Sequence, residues 1–183
     1  HDTWGTEDSS NGPLGFNTVK QVFYPLETPE AVTAFVVHPS EAAFSLPGEG
    51  SFGADLRDVD DRFWNVMDFT FIAGKPFTRA DFESGIPVVV ISEELARKLY
   101  KSVDVVGRQL LINHVPYTVC GVVEDVSELA DKAYAKAWVP FTTTNVGDFS
   151  WCDYMGGLSV IILAENAGDF GKIRDELTEN FAK

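Results

Sequence analysis

The chain has 183 residues, of which 45% are hydrophobic and 13% aromatic. That is one domain's worth, able to bury a core without disulfide staples and too apolar for intrinsic disorder. The 28 acidic residues outnumber 14 basic ones, for a formal net charge of -14 and a pI near 4.4. No basic cluster is present, so a nucleic-acid partner is excluded, because phosphates need Lys and Arg to neutralise them. The acidity reads as a solubilising surface. No apolar run approaches the roughly 18–20 residues that cross a bilayer, and no secretory leader opens the chain. The abrupt start at His1 and end at Lys183 read as a segment cut from a longer protein.

In chain order, residues 1–15 are rich in Gly, Ser, Asn and Asp and read as a flexible lead-in. Phe16–Tyr24 carries Val19, Val22 and Phe23 at helical spacing and is broken by Pro25 and Pro29. Ala31–Val37 is a β-rich run stopped by Pro39. Ala43–Leu46 and Ser51–Val59 read as strands around Pro47-Gly-Glu-Gly. Asp60 or Asp61 is expected to cap a short helix carrying Phe63, Trp64 and Met67. Phe69–Ala73 is a short strand ending at Gly74, and Thr78 with Asp81 has capping-box spacing.

Pro87–Ile91 is nearly all β-branched, so a buried central strand is expected. Ser92 then caps a helix whose apolar face is Leu95, Ala96, Leu99 and Tyr100. Arg108–Ile112 and Tyr117–Val123 flank Asn113-His-Val-Pro, a hairpin signature. Ala137–Phe141 is expected at a sheet edge because it contains Pro140. Leu158–Leu163 is a long β-branched strand, and Phe170, Ile173, Leu177 and Phe181 mark an amphipathic final helix. Short strands mixed with about four helices predict an α+β fold.

The chemistry-bearing patterns each have a structural explanation. Gly48-Glu-Gly-Ser-Phe-Gly53 matches the dinucleotide glycine pattern, but Pro47 precedes it and a strand-like alternation follows, so it reads as a hairpin turn. Around Ser51, Glu49 stands where a nucleophile elbow needs glycine. His1, His38 and His114 are far apart in sequence. Asp55, Asp58, Asp60 and Asp61 lack the rest of a calcium loop and read as a solvated turn and helix cap. Glu124 and Asp125 are neighbours in a strand direction and would point to opposite faces, and Glu93 with Glu94 serves a helix start. Cys120 falls in a buried strand, and two separate thiols at Cys120 and Cys152 are the expectation, with a disulfide open in an oxidising compartment. Trp4 and Trp151 lie in loop-like stretches as core anchors or as exposed binding aromatics. No catalytic, cofactor-binding or metal residue is assigned, and no cofactor is expected.

An ordered set of phrases across residues 61–145 resembles the MacB-like periplasmic core domain of ABC-transporter permeases. They are Phe63-Trp-Asn-Val-Met-Asp-Phe-Thr-Phe-Ile-Ala-Gly-Lys-Pro-Phe-Thr-Arg-Ala-Asp81, Val88-Val-Val-Ile-Ser-Glu-Glu-Leu-Ala-Arg-Lys-Leu-Tyr100, Val106-Gly-Arg-Gln-Leu-Leu-Ile-Asn, Tyr117-Thr-Val-Cys-Gly-Val-Val-Glu-Asp125 and Trp138-Val-Pro-Phe-Thr-Thr-Thr144. One departure is Val105, where family members commonly have Pro. The phrases are turn glycines, caps and strand cores, so no catalytic residue is carried over.

The resemblance implies a two-lobed domain over residues 16–183, a βαβ-type lobe with a second mixed lobe of about 60–129 inserted in it. It also implies a non-catalytic role on the periplasmic side of a bacterial inner membrane, within a permease that transports or effluxes a substrate. Membrane helices would flank the domain, a cytoplasmic ABC ATPase would drive it, and a periplasmic adaptor or carrier protein is a further partner. The competing expectation is a membrane-anchored extracytoplasmic binding or sensor module on the same fold.

Overall fold

The computed structural model describes residues 14–144 and 157–182. The chain enters through a helical turn, α1 (Phe16–Thr18), which runs on as a π-helix over Val19–Phe23. It then alternates strands with short helices. These are β1 (Ala31–Val36), β2 (Ser40–Ser45), β3 (Phe52–Val59), α2 (Phe63–Val66), β4 (Phe71–Gly74), α3 (Arg79–Glu83), β5 (Val88–Ser92) and α4 (Glu93–Tyr100). After them come β6 (Gln109–Ile112), β7 (Val115–Val123), β8 (Ala137–Pro140), β9 (Leu158–Leu163) and α5 (Phe170–Phe181). The expected mixture of strands and helices is present.

Six strands close a ring: β2, β6, β7, β5, β8 and β3 follow one another by hydrogen bonding, and β3 pairs back onto β2. The hydrophobic side chains that meet inside it recur at every second position. They are Ala42 and Phe44, Leu56, Val89 and Ile91, Leu110 and Ile112, Tyr117 and Val119, and Ala137 with Val139. That is the period of a strand with one face turned inward. Helix α4 adds Leu95, Ala96 and Leu99 to the same core. β4 pairs with β7 off the ring, and β1 meets β3 at Phe35 opposite Val59 and carries β9 on its other side. The strands of residues 60–129 therefore lie in one sheet with β2, β3 and β8.

Local sequence explains most boundaries. Thr78 and Asp81 form the reciprocal capping box of α3. Ser92 Oγ accepts the Leu95 N–H at 3.2 Å, and α4 ends at Lys101 in the left-handed region. Asn113 and His114 both have positive φ, 49° and 68°, which is the two-residue turn that matches strand twist between β6 and β7. Gly48, with φ 82°, lies in the turn joining β2 to β3, so the glycine-rich stretch is a hairpin connection.

Three expectations need correction. β8 is an interior strand between β5 and β3, not an edge. Pro140 is tolerated because β5 pairs only with Ala137 and Trp138, so that ladder has ended before the proline, which keeps only β3 beside it. Helix α2 has Arg62 at its N-cap and no side-chain cap, so neither Asp60 nor Asp61 plays that part. The aspartate cluster is not a solvated turn either: β3 runs through Val59 into the molecule, and Asp58 and Asp60 are buried.

Candidate cationic–aromatic cleft

Outside the ring, the N-terminal helical segment, the β3–α2 connection, α3 and the 3₁₀ turn Phe141–Thr143 enclose a cleft of ≈ 590 Å³. Its lining is Phe16, Lys20, Tyr24, Pro25, Asp61, Arg62, Arg79, Phe82, Glu83 and Thr142. The apolar wall is built from aromatic edges against faces: Phe16 meets Phe82 at 6.2 Å and Phe141 at 4.9 Å, and Phe82 meets Phe141 at 4.9 Å. Such pairs fix one another's rotamers beyond simple burial.

Two of the three cations rest on rings. Lys20 Nζ is 4.3 Å from the Phe16 centroid, and the Arg62 guanidinium is 4.0 Å from that of Tyr24. Arg79 pairs with Glu83 at 2.7 Å along one helix face. Among the described residues, neither Lys20 nor Arg62 has an ion pair within 4.0 Å. Burial pushes the Asp61 carboxyl up, against the pull of Arg62 and Arg79.

A buried carboxylate organises this wall from behind. Asp60 is 0% exposed. Its Oδ2 accepts the Tyr24 hydroxyl and the Ala34 N–H, both at 2.7 Å, and its Oδ1 accepts Thr33 Oγ1 at 2.5 Å and the Arg62 N–H at 3.1 Å. Burial pushes the Asp60 carboxyl up to about 6, against the lowering by its hydrogen bonds. The Tyr24 phenol is raised as well, by burial first and then by Asp60. Asp60 thus sets both the ring and the backbone on which Arg62 sits.

A second buried charge lies on β3. Arg57, 0% exposed, donates to four carbonyls: Val36 and Val37 at 2.9 Å, Tyr134 at 3.0 Å and Asp131 at 2.8 Å. It ties the β7–β8 connection to the end of β1. Asp58 accepts the Thr144 hydroxyl at 2.6 Å, and burial raises its carboxyl.

The residues singled out by sequence are not brought together. Asp125 Oδ1 accepts the Glu94 N–H at 3.1 Å, at the start of α4. His114 sits in its hairpin turn and His38 after β1. Cys120 lies in β7, its Sγ facing the Val89 carbonyl at 3.4 Å, and burial pushes its thiol up to about 12. His1, Trp4, Trp151 and Cys152, with all but the last two residues of the lead-in, lie outside the described residues. Of those two, Leu14 pairs with Leu158. Among the described residues no group of three or more His, Cys, Asp or Glu could hold a metal ion, and no helix is long and apolar enough to cross a membrane.

The cleft itself went unforeseen. One local signal existed: Phe16, Lys20 and Tyr24 are spaced by four and so share a helical face. The other residues come from segments far apart in sequence.

The family model of the MacB-like periplasmic core domain matches residues 6–180. The chain is 27% identical over 149 residues to the uncharacterized ABC transporter permease YknZ of Bacillus subtilis, covering 79% of this chain and 34% of that protein. It is 33% identical over 98 residues to the macrolide export ATP-binding/permease protein MacB 1 of Yersinia pestis, covering 52% of this chain and 15% of that one. It thus spans about a third or less of these relatives. The fold is similar to the periplasmic region of MacB from Actinobacillus actinomycetemcomitans, with a TM-score of 0.69 at 18% identity over 93% of this chain and 73% of that one. With the match running nearly end to end, the chain belongs to the MacB-like periplasmic core domain family.

Proposed function

We propose that this domain is the extracytoplasmic part of an ABC-transporter permease. It couples ATP-driven movement of membrane helices to export or hand-over of a substrate and performs no catalysis itself. Its partners in this reading are a cytoplasmic ABC ATPase and a periplasmic adaptor or carrier protein. The family match over residues 6–180 supports the placement, as does the description of relatives as permeases.

The observation that carries the coupling role is the clamp between the N-terminal helical segment and α5. Val22 packs with Ile173 and Leu177, Phe23 meets Phe181 edge to face at 6.1 Å, and Asn180 Nδ2 donates to the Val22 carbonyl at 3.1 Å. Glu176 accepts the Glu27 N–H at 3.0 Å and the Thr28 hydroxyl. In a permease whose membrane helices flank this domain, both would pull on one joined unit. The ring and its packed core would then move as a body, because packed interiors transmit displacement with little compression.

In the full-length permease with its ATPase, a spin label at Leu129, which is 95% exposed, and a second label on the cytoplasmic side report the movement. The distance changes on ATP binding. Replacing Glu176 and Asn180 with Ala uncouples it: ATP is still hydrolysed but the change in distance is lost. An unaltered distance change in a folded Glu176→Ala/Asn180→Ala variant, or ATP hydrolysis by the isolated 183-residue chain, would sink this reading.

A further inference from the structure

We propose that the cationic–aromatic cleft is a binding site for a small amphipathic monoanion, a single carboxylate- or sulfonate-type headgroup on an aromatic or acyl body. Three observations carry this beyond the coupling role, and none depends on it.

The first is charge placement. The chain carries 28 acids against 14 bases. Nevertheless three cations, Lys20, Arg62 and Arg79, converge on one cleft with only two carboxylates, Asp61 and Glu83. Glu83 is committed to Arg79. A cation on the rim of a strongly acidic protein ordinarily finds a carboxylate, yet among the described residues Lys20 and Arg62 rest on aromatic faces instead. Among the side chains that line the cleft the cations exceed the carboxylates by one, and the Asp60 carboxyl behind the wall is turned to its own donors, Tyr24, Thr33 and two backbone N–H groups, so Lys20 and Arg62 remain for one negative headgroup.

The second is preorganisation. Arg62 lies over a Tyr24 ring that the buried Asp60 holds by its hydroxyl, and the same carboxylate accepts the Arg62 backbone N–H. A guanidinium held over a ring keeps N–H groups free for an anion, and less side-chain freedom is lost on binding.

The third is the body of the cleft. Phe16 and Phe82 give it an apolar wall locked by edge-to-face contacts, beside the cations. A volume of ≈ 590 Å³ is that of a site for a drug-sized ligand and too large for an inorganic anion alone. A polar headgroup and an apolar body are both provided for.

The test uses two probes that share one ring system: 1-anilinonaphthalene-8-sulfonate and its uncharged counterpart N-phenyl-1-naphthylamine. Binding to the full chain is read by fluorescence, and the site is located by NMR shift changes. The sulfonate is expected to saturate a single site with shifts at Phe16, Tyr24, Arg62 and Phe82. It should bind at least ~10-fold more tightly than the amine, as a charge-assisted hydrogen bond to the headgroup requires. A Lys20→Gln/Arg62→Gln double variant removes that advantage, so that the ratio of the two affinities falls towards one. Arg79→Gln weakens the sulfonate alone, and so does raising the salt on the unaltered protein, so the outcome does not depend on the folding of any one variant. Equal affinity for the two probes, shifts elsewhere on the molecule, or sulfonate binding indifferent to salt and to all three cations would overturn the proposal.

Discussion

Tyr24 and Asp60, 36 positions apart in the chain, are joined by a 2.7 Å hydrogen bond from the phenol to a fully buried carboxylate. Each Asp60 oxygen also receives a backbone N–H, from Ala34 on Oδ2 and from Arg62 on Oδ1. A hydroxyl can turn round and accept, but a backbone N–H cannot. An amide at position 60 must therefore aim its NH₂ at one of two donors. Near pH 4, Asp60→Asn should cost about 1–3 kcal/mol, the penalty of one buried unsatisfied N–H. A urea unfolding midpoint within error of the parent at that pH would show that the two N–H contacts do not matter.

The same residue gives the protein a pH dependence. Burial raises the Asp60 carboxyl to about 6 from an unfolded value near 3.8, with Asp61 adding and the hydrogen bonds from Thr33, Ala34 and Tyr24 opposing. The folded state thus holds a proton that the unfolded state has released between those two values. Its contribution is fully present below pH ~4 and is lost as pH rises through ~6, by roughly 3 kcal/mol in all. Asp60→Asn cannot titrate, so the gap between parent and variant should close from pH 4 to pH 7.5. Unfolding curves at both pH values measure it, and a gap that widens with pH contradicts the assignment.

Arg57 satisfies four carbonyls from two separate stretches of chain, Val36 and Val37 at the end of β1 and Asp131 and Tyr134 in the β7–β8 connection. Arg57→Met keeps the volume but leaves four partly buried carbonyls without their donor. The loss should be about 2–4 kcal/mol, because hydrogen bonds from a charged group are worth about 1.5–3 kcal/mol each and the desolvation of the guanidinium is relieved at the same time. Arg57→Lys should recover part of it, because an ammonium offers three donors where the guanidinium offers five in a fixed fork. The β7–β8 connection should also loosen, read as faster tryptic cleavage at Lys132. Resistance equal to the parent would mean that other contacts hold the connection.

Local rules made much of the fold legible. The capping box at Thr78 and Asp81, the Ser92 cap, the hairpin after Ile112 and the span of α5 are each determined within a few residues and stand where the sequence places them, except that Val115 and Pro116 belong to β7 and only Ile173 and Leu177 of the expected α5 face are buried. Closure of the ring is different. It depends on β2 meeting β6 through Phe44 opposite Ile112, and on β3 meeting β8 in parallel, pairings of high sequence separation that no short-range pattern encodes. Pro140 misled for the same reason: whether a proline lies at an edge depends on where the neighbouring ladder ends. Asp58 and Asp60 looked solvent-bound because charge is normally exposed. Their burial follows from β3 being covered on both sides, a fact of assembly. The cleft needs residues 16–24, 61–62, 79–83 and 142 together, so only the Phe16–Lys20–Tyr24 spacing carried a trace of it.

Gly74 gives a graded prediction about the join between β4 and β7. Its φ is +66°, and a Cβ there would lie 2.2 Å from the Cys120 carbonyl oxygen and 3.0 Å from the Gly121 Cα. Both are backbone atoms of the paired strand, so no rotamer change relieves the overlap. Gly74→Ala should therefore carry both left-handed backbone strain, about 1 kcal/mol, and overpacking of roughly 1–3 kcal/mol. Gly85 and Gly48 separate the two effects. Gly85 has φ +62° with its nearest atom, the Thr142 carbonyl oxygen, at 3.5 Å, and Gly48 has φ +82° with nothing within 4 Å. Alanine at either should cost only the backbone strain, about 1 kcal/mol. Thermal melts of the three variants should place Gly74→Ala well below the other two, which should lie close together. If all three fall equally, β4 yields readily at Gly74 and its close approach to Cys120 is not a constraint on the sheet.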